Sequence, residues 1–371
     1  MRTRRIKIAM IIPDLNFGGA QTMVIRLIHA IDVSKFEVKL FIRDSKLGNS
    51  LEKEAEEKGI ECIYLNIGEN EKHNLLLVHK CKAYARLSKA LKIFDPDLIH
   101  SHLEQFYSFL FSIHHGVPLV HTLHSMPERI YTKRLNIMVK ALQNKNHLRI
   151  VGCSKKTSQK AQELFRLKET SITTIYNPIC LSDYKYEEKQ ATEFIFIHVA
   201  RLHPVKNQEL LLRAFRRIED ENVKLWIVGD GGIREQLESL VKELKLDTRV
   251  VFMGNRGDVP QLLSQANAFI LSSNSEACPM TVLEALASGL PVVSTDVGGI
   301  RELVGECGIL VEPQNEDELF KAMQEIRKPE IYSVIANKSA IQRASLFKDD
   351  VIARQYEDVY KDMIDKTTNM A

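Results

Sequence analysis

Two glutamates, Glu276 and Glu284, stand eight positions apart on either side of a predicted helix start. The apolar run 266–271 before them predicts a buried strand, and Pro279 suits the first position of a helix. Gly289 is typical of the residue that ends such a helix. Glu276 is therefore expected at the carboxyl edge of a parallel sheet, where open α/β sheets bind ligands.

The two carboxylates and the helix start between them indicate a particular chemistry. Carboxylates accept hydrogen bonds from sugar hydroxyls, and the free N–H groups of a helix start favour a phosphate. Glu276 and Glu284 thus predict a site for a nucleotide sugar. The alternative is an ordinary strand–helix unit whose carboxylates are solvated.

Two cations, Arg201 and Lys206, directly follow another predicted strand at residues 194–200. When a sugar leaves a nucleoside diphosphate, negative charge develops on the diphosphate. Without a metal, that charge must be stabilised by fixed positive charge and N–H donors. We therefore predict that Arg201 and Lys206 hold the diphosphate, with an exposed basic loop as the alternative.

A glycine pair, Gly18 and Gly19, follows the first predicted strand and opens a helix. Glycines let the backbone approach a ligand closely, and a helix start carries the positive end of the helix dipole. A plain turn would explain the pair equally well. It is not the three-glycine fingerprint of dinucleotide binding, which argues against a simple dehydrogenase.

The first half of the chain is rich in histidine: His100, His102, His114, His115, His121 and His124. His100 and His102 share one face of a predicted strand with Glu104 nearby, which permits a metal hypothesis. We favour one metal-free cleft histidine among packed or solvated neighbours, because a zinc site needs a closed and convergent ligand set. No metal and no cofactor are therefore expected.

Length, cysteine content and hydropathy limit the class of protein and its location. The 371 residues suggest two domains, and six cysteines without a Cys-x-x-Cys pair predict reduced thiols. No apolar run approaches the length of a membrane span. The basic start precedes an apolar stretch too short for a signal core, and a cytoplasmic location is expected.

Charge is unevenly distributed along the chain. Residues 1–180 carry 28 Lys and Arg against 17 Asp and Glu, whereas the remainder carries 23 against 31. Much of the excess lies in the basic region 129–160, which holds Arg129, Lys133, Arg134, Lys140, Lys145, Arg149, Lys155, Lys156 and Lys160. Peripheral contact with an anionic membrane or an anionic acceptor and a merely solvated helix face stay open as interpretations. Nucleic acid is not expected, because no aromatic stacking pattern accompanies the charge.

Apolar strands alternate with helical periods throughout, which predicts an α/β fold. The predicted strands are 6–12, 37–42, 61–65, 97–102, 118–123, 149–153, 171–175, 194–200, 224–228, 250–252, 266–271, 291–294 and 308–311. A polar stretch, 182–190, serves as the linker, and an amphipathic helix is predicted at 349–364. We therefore expect two doubly wound Rossmann-like domains, 1–180 and 181–348, followed by a C-terminal helix in 349–371.

The motifs together resemble the family-4 retaining glycosyltransferases, which have the GT-B fold. The Glu–seven residues–Glu segment continues as Glu-Ala-Leu-Ala-Ser-Gly-Leu-Pro-Val-Val, as in that family. The segment Ala-Arg-Leu…Lys-Asn is similar to the family's Gly-Arg-Leu…Lys-Gly turn, with Ala200 and Asn207 as departures. The resemblance implies two domains facing a cleft, with the last helix crossing back to the first, acceptor-side domain.

The resemblance also assigns roles to residues. It implies catalytic roles for His124, Arg201, Lys206 and Glu276. It implies nucleotide-sugar binding by Gly18, Gly19, Arg201, Lys206, Gly254, Glu276, Ala277, Cys278, Val282 and Glu284. The family usually has Gly-Phe where this chain has Ala277 and Cys278, and Gln21 replaces a family Glu after the glycine pair.

The implied reaction is the transfer of a sugar from a UDP-sugar to a glycan or lipid-linked acceptor, in cell-surface or polysaccharide biosynthesis. The implied mechanism is retaining and independent of a metal. A GT-B nucleotide-sugar epimerase and an inactive partner subunit are the alternatives. Asp95-Pro96-Asp97 imitates the Asp-x-Asp metal motif of the other large glycosyltransferase fold. We expect a turn there, because the segment ends a helix and begins a strand.

Overall fold

The structure is a computed structural model that describes residues 4–16, 18–67, 77–130, 132–186 and 193–368. The chain divides into two compact units. The first comprises Met1–Pro178 and Asp349–Ala371, and the second comprises Ile179–Lys348.

The first unit is built on a seven-stranded sheet in which every neighbouring pair is parallel. Its strands are β1 (Ile6–Ile12), β2 (Phe36–Ile42), β3 (Cys62–Tyr64), β4 (Leu98–His102), β5 (Leu119–Leu123), β6 (Leu148–Gly152) and β7 (Ile172–Thr174). The helices between them are α1 (Gly19–Ala30), α2 (Ser50–Glu57), α3 (Leu77–Phe94), α4 (Phe106–His115), α5 (Lys133–Asn144) and α6 (Lys155–Phe165).

The second unit repeats this plan on a six-stranded parallel sheet. Its strands are β8 (Phe194–Val199), β9 (Val223–Val228), β10 (Val250–Gly254), β11 (Ala268–Leu271), β12 (Val292–Thr295) and β13 (Gly308–Val311). Its helices are α7 (Gln208–Arg216), α8 (Arg234–Glu243), α9 (Val259–Gln265), α10 (Met280–Ala287), α11 (Ile300–Val304), α12 (Glu316–Glu325), α13 (Pro329–Ile335) and α14 (Lys338–Ser345).

Strand order has the same consequence in both sheets. The orders are β3-β2-β1-β4-β5-β6-β7 and β10-β9-β8-β11-β12-β13. The direction of winding therefore reverses between β1 and β4 in the first sheet and between β8 and β11 in the second. Loops on the two sides of such a reversal diverge at the carboxyl edge and leave a crevice for ligands.

The last helix, α15 (Asp349–Thr368), belongs to the first unit. Its Tyr360 is fully buried, and its hydroxyl lies 2.7 Å from Nδ1 of His100 on β4. Asp362 of the same helix accepts a 2.6 Å hydrogen bond from the guanidinium of Arg149 on β6. The helix thus returns to the first domain, as the resemblance implied.

The predicted α/β fold is confirmed, and every strand boundary lies within two residues of its predicted position. One helix start differs, because α10 begins at Met280 and Pro279 is its N-cap with extended backbone. Part of the predicted linker, residues 187–190, lies outside the described residues. The units divide earlier than that linker, after Pro178, where Ile179 N–H donates to the carbonyl of Phe347 at 2.8 Å.

Two other sequence predictions concern cysteines and membrane spans. All six cysteines lie within the described ranges, and none of them forms a disulfide bond. Among the described residues, no helix combines the length and the apolar character that crossing a bilayer requires.

Candidate active site

The loops that follow β8 and β11 are joined at the carboxyl edge of the second sheet. Ser272 Oγ donates to the carbonyls of Lys206 at 3.0 Å and Asn207 at 2.9 Å. Asn274 N–H donates to the carbonyl of Val205 at 2.8 Å. These bonds hold the two loops in a fixed register at the point where the strand order reverses.

The side chains on the two loops form an ion pair. Lys206 Nζ lies 2.6 Å from Oε1 of Glu276, and Ser273 Oγ donates to the same oxygen at 2.6 Å. Glu276 is 9% exposed, so that the pair is shielded from solvent screening. Oε2 of Glu276 has no hydrogen-bond partner within the described ranges. The carboxylate is therefore fixed through one oxygen while the other remains available as an acceptor.

Local sequence explains why Lys206 is presented in this way. Pro204–Lys206 forms a short 3₁₀ turn, and Nδ1 of His203 accepts from Val205 N–H at 3.2 Å at its start. Asn207 then adopts a left-handed conformation, with φ of 50°, which asparagine tolerates better than most residues. Its side chain caps α7 by accepting from Leu210 N–H at 3.4 Å.

A buried chain of hydrogen bonds positions Arg201. Nδ1 of His198 donates to the carbonyl of Ile270 at 2.9 Å, and so its Nε2 accepts from Nε2 of Gln208 at 3.3 Å. The same amide donates to the Arg201 carbonyl at 3.0 Å. Burial lowers the pKa of His198 to about 4, which keeps the ring neutral at pH 7. The Arg201 side chain itself is exposed and forms no ion pair with any other described residue.

Two glycines after β9 pack against the backbone beside Arg201. A Cβ on Gly229, whose φ is +124°, would lie 2.1 Å from the carbonyl oxygen of Ala200. A Cβ on Gly231 would lie equally close to that of Leu202, at 2.1 Å. Only glycine permits this approach at either position. Leu202 N–H also donates to the carbonyl of Asp230 at 3.0 Å, which fixes the glycine loop to the Arg201 segment.

A third glycine supports Glu276 from the loop after β12. Gly298 has a φ of +58°, and a Cβ there would lie 1.6 Å from the carbonyl oxygen of Glu276. Gly299 N–H donates to the carbonyl of Ala277 at 3.0 Å. The backbone around Glu276 is thus held by direct contact with a segment that allows no side chain at position 298.

The remaining predicted ligand contacts differ in their exposure. Ala277 and Cys278 are 6% and 7% exposed, and Glu284 is half-buried on α10. Val282 is fully buried, and its N–H donates to the carbonyl of Pro279 at 3.3 Å. The Val282 side chain therefore lies in the core beneath α10, because the helix turns it inward. Only its backbone could contact a ligand, and the nucleotide-sugar role of Val282 stays a prediction.

Gly254 ends β10 beside the glycine loop. Its carbonyl accepts from Gly229 N–H at 2.8 Å, and its φ is +67°. Nη1 of Arg234 lies 3.5 Å from the position that a Cβ of Gly254 would occupy. The predicted base-binding segment is thus tied to the same carboxyl edge as Arg201.

In the first unit, the glycine pair lies where the strand order reverses. Gly18 is the N-cap of α1 with extended backbone, and Gly19 is the first helical residue. Asp14, directly after β1, accepts from Asn16 N–H at 2.9 Å and from the amide of Gln21 at 3.0 Å. The residue that replaces the family's glutamate therefore stabilises the loop beneath the glycines.

His124 follows β5 on the neighbouring side of this edge. Its Nε2 lies 2.9 Å from Nδ1 of the fully buried His102. Burial, with a smaller effect of His121, lowers the pKa of His124 to about 3, and burial lowers that of His102 well below its usual value. Both rings are consequently neutral at pH 7.

His100, the other member of the metal hypothesis, has both ring nitrogens occupied. Nδ1 bonds the Tyr360 hydroxyl at 2.7 Å, and Nε2 bonds Thr122 Oγ1 at 2.8 Å. Glu104 accepts from the N–H groups of Tyr107 and Ser108 at the start of α4. Within the described ranges, no three His, Cys, Asp or Glu side chains are grouped so that they could hold a metal ion.

The Asp-Pro-Asp segment forms a turn, as predicted. Asp95 has a left-handed φ of 54° directly after α3. Asp97 accepts from Lys7 N–H at 2.8 Å and pairs with Arg4 at 3.0 Å. These contacts lie where β1 and β4 begin, at the edge opposite to the loops described above.

The basic region is less uniform than its sequence indicates. Leu135 and Leu142, which interleave with the cations, are buried in the core, and Arg149 is engaged by Asp362. The outward face of α5 carries an isoleucine among cations: Lys133, Arg134, Ile137 and Lys140. Ile137 is 68% exposed.

Sequence reasoning missed four supporting residues: His198, Gln208, Ser273 and Gly298. For two of them the sequence contains a recognisable pattern. His198 is the one polar residue in the apolar strand 194–199, and Gly298 belongs to a Gly-Gly pair that follows a predicted strand, as Gly18 does. The roles of Gln208 and Ser273 depend on three-dimensional contacts that no spacing indicates.

Two family models match the sequence of this chain. The model described as Glycosyltransferase Family 4 matches residues 17–183, and the model described as Glycosyl transferases group 1 matches residues 183–343. The two matches together cover most of both units. The chain belongs to the family-4 glycosyltransferases.

Individual relatives are similar over different lengths. The N-acetyl-alpha-D-glucosaminyl L-malate synthase of Bacillus anthracis is 32% identical over 177 residues, which cover 47% of this chain and 46% of that protein. The N-acetylgalactosamine-N,N'-diacetylbacillosaminyl-diphospho-undecaprenol 4-alpha-N-acetylgalactosaminyltransferase of Campylobacter jejuni is 26% identical over 362 residues, which cover 94% and 97%. The chain thus spans about half of the first relative and nearly all of the second.

Among solved structures, Anabaena Alr3699/HepE in complex with UDP and glucose is similar with a TM-score of 0.81. The match covers 96% of this chain and 100% of that chain at 21% identity. The likeness shows a common GT-B fold.

Replacing Gly298 by alanine tests the support of Glu276. We expect the free energy of unfolding of the second unit to fall by roughly 1–3 kcal/mol, because a non-glycine residue there is strained and its Cβ meets a backbone carbonyl. Urea denaturation followed by the fluorescence of Trp226, which lies on β9 and is the one tryptophan of the chain, measures it. Gly257→Ala is the control, since a Cβ there has no neighbour within 4 Å. Equal stability of the two variants would contradict the model of Glu276 support.

The buried His198 predicts a pH dependence of the same transition. Its pKa is about 4 in the folded state and about 6.5 when unfolded, and so between these values the unfolded chain binds a proton that the folded chain does not. We expect His198 to lower the stability of the second unit by up to about 1.4 kcal/mol per pH unit as pH falls from 6.5 to 4. Trp226 fluorescence at several pH values should show a shallower slope for His198→Gln. Identical slopes would show that His198 is not a buried neutral group.

Proposed function

We propose that the protein is a retaining, metal-independent glycosyltransferase that moves a sugar from a UDP-sugar to a glycan or lipid-linked acceptor, in the biosynthesis of a cell-surface polysaccharide. The observation that carries this proposal is the 2.6 Å pair of Lys206 with Glu276 where the second strand order reverses. A cation and a carboxylate side by side match one ligand that carries both a diphosphate and sugar hydroxyls.

The second unit, residues 181–348, is proposed as the nucleotide-sugar domain. Arg201 and Lys206 stabilise the charge that develops on the departing diphosphate, so that no metal is needed for this step. Glu276 accepts from sugar hydroxyls through Oε2, and the N–H groups of Ala277 and Cys278 add to this contact. Glu284 accepts from the ribose hydroxyls, and Gly254 lies beside the base.

The first unit is proposed as the acceptor-side domain, formed by residues 1–180 with the helix in 349–371. His124 contacts the donor sugar there, and Gly18 and Gly19 bring backbone N–H groups to the leaving phosphate. Retention follows the family picture of a same-face substitution, in which the departing diphosphate helps to deprotonate the acceptor hydroxyl.

The named relatives support the finer parts of the proposal. The Anabaena protein was crystallised with UDP and glucose, which supports UDP as the nucleotide. The name of the Campylobacter jejuni relative includes a diphospho-undecaprenol substrate, which supports a lipid-linked acceptor.

Family membership favours transfer over the epimerase alternative, and the presence of Arg201, Lys206, Glu276 and Glu284 together favours an active subunit over an inactive partner. Incubation with a panel of nucleotide sugars distinguishes the three. Release of UDP that depends on the protein is expected. An altered free nucleotide sugar would indicate epimerisation, and no turnover of any donor would indicate a partner subunit.

Glu276→Ala is expected to lower transfer by at least about 100-fold, because the sugar loses a charged acceptor and Lys206 loses its partner. UDP release in the presence of acceptor is the measurement, and Trp226 fluorescence verifies that the second unit is folded. Asp95→Ala is the matched control, since that carboxylate lies in the turn at the opposite edge of the first sheet and full activity is expected.

Comparable loss in both variants, with folding intact, would support a metal site at the Asp-Pro-Asp turn instead. A chelator provides a second measure of the same point. We expect unchanged turnover with excess EDTA, and inhibition that manganese reverses would contradict a metal-independent reaction.

The outward face of α5 is proposed as a peripheral contact with the inner face of the cytoplasmic membrane. Lys133, Arg134 and Lys140 surround the exposed Ile137 on that face. Cations near an anionic bilayer each contribute about 1 kcal/mol of binding, and an exposed aliphatic side chain adds apolar burial. A merely solvated helix face is the alternative, since single exposed aliphatic side chains such as Val334 occur elsewhere on the chain.

Vesicle binding tests this contact. We expect binding to vesicles that contain phosphatidylglycerol but not to pure phosphatidylcholine. Lys133→Gln combined with Arg134→Gln should weaken it by about 30-fold, since two charges are lost. Ile137→Ser should weaken it as well, whereas Val334→Ser, which changes a side chain of 67% exposure in the second unit, should not. Cosedimentation measures vesicle binding by the unmodified protein and the three variants. Equal binding by all four would contradict the proposal.

A further inference from the structure

A row of three histidines leads from the buried centre of the first unit to the half-buried His124. The rings of His100 and His102 lie 3.9 Å apart between centroids, and those of His102 and His124 lie 5.2 Å apart. His100 is fixed by Tyr360 on α15 and by Thr122 on β5. The ring of His102 therefore lies between His100, which is fixed by hydrogen bonds, and His124, which the resemblance assigns to contact with the donor sugar.

The bonding of His102 is asymmetric. Its Nδ1 lies 2.9 Å from Nε2 of His124, whereas its own Nε2 is buried and has no partner within the described ranges. A neutral imidazole carries one proton, so that one of its nitrogens donates and the other accepts. The proton of His102 is therefore either on Nδ1, in the bond, or on Nε2, where it would be orphaned.

The orphaned N–H is the less favourable arrangement, because buried donors without partners are rare and cost free energy. His102 thus carries its proton on Nδ1 and donates it to His124. Since Nε2 of His124 accepts that bond, its single proton must be on Nδ1. Nδ1 of His124 has no hydrogen-bond partner among the described residues and belongs to a half-buried side chain.

We infer that His102 is a positioning residue that fixes the tautomer of His124, so that His124 presents an N–H donor from Nδ1 to an oxygen of the ligand. This inference deepens the proposed function, because it rests on His124 contacting the donor sugar. The ligand group that fits is an acceptor, such as a hydroxyl or ring oxygen of the sugar. The geometry assigns His124 to hydrogen-bond donation and excludes Nδ1 as the base that removes a proton from the acceptor.

The tautomer can be observed without any substrate. Long-range proton–nitrogen correlation spectra of protein with nitrogen-15-labelled histidine, at pH 7.5, distinguish protonated from unprotonated ring nitrogens. A His124→Gln spectrum assigns the His124 signals. We expect protonated Nδ1 and unprotonated Nε2 in the unmodified protein. The opposite pattern would overturn the inference, whatever the activity of the protein.

Two substitutions at His102 test whether this residue fixes the tautomer of His124. His102→Leu removes the donor, and we expect His124 to populate the Nε2-protonated tautomer and the rate of transfer to fall about tenfold. His102→Asn places an amide that can donate from nearly the same position, and we expect it to restore the tautomer and most of the activity. An unchanged His124 spectrum in His102→Leu would overturn the inference.

The activity of His124→Gln separates this inference from the proposed function. A large loss of transfer, together with the expected spectra, supports both. Full activity would overturn the ligand contact of His124 and with it the functional half of the inference, even where the spectra show the expected tautomer. If His102→Leu does not fold, the spectrum of the unmodified protein and the Asn variant still decide the question.

Discussion

The candidate site of the second unit is organised around one pair of opposite charges, the part-buried Lys206 and the buried Glu276. Removing two charges from water costs free energy that their attraction seldom recovers fully, and such a pair is therefore a weak source of stability. Here it joins the loops after β8 and β11, and Ser273 donates to the same carboxylate oxygen. The predicted donor contacts of this unit other than Gly254 lie on these loops or follow them in α10. A pair retained at this cost, at the edge where sheets of this type bind ligands, is better explained by binding than by stability.

Close backbone contacts require glycine at several positions around the pair of Lys206 and Glu276. Gly229 and Gly231 bring one loop against the carbonyls beside Arg201, and Gly298 brings another against the carbonyl of Glu276. Asn207 adopts a left-handed conformation between the Lys206 turn and α7. These positions do not touch the ligand in our proposal. They keep the charged groups at fixed separations before the ligand arrives, and such preorganisation is the main source of electrostatic stabilisation in enzyme sites.

The sequence predicted the sheets well and the contacts within the site only in part. Strands came within two residues because apolar runs of a parallel sheet, buried on both faces, are easily recognised. Glu276 and Lys206 could be predicted to share an edge, because each follows a strand. Their direct contact could not, since it depends on bonds from Ser272 and Asn274. The burial of the Val282 side chain could not be predicted for a related reason: a motif gives spacing, whereas burial depends on which face of α10 packs inward.

The candidate site residues of the two units differ in charge. Lys206 and Glu276 of the second unit form an ion pair, whereas His102 and His124 of the first unit are neutral imidazoles, whose pKa values burial lowers. Part of the positive excess of residues 1–180 lies on the exposed face of α5, and Arg43, which follows β2, is paired with Asp44 at 2.8 Å. In our proposal His124 supplies a hydrogen-bond donor without positive charge, and the positive charge is supplied by Arg201 and Lys206. The lowered pKa values of the two histidines make this division of roles possible, because a protonated imidazole would itself attract an anion.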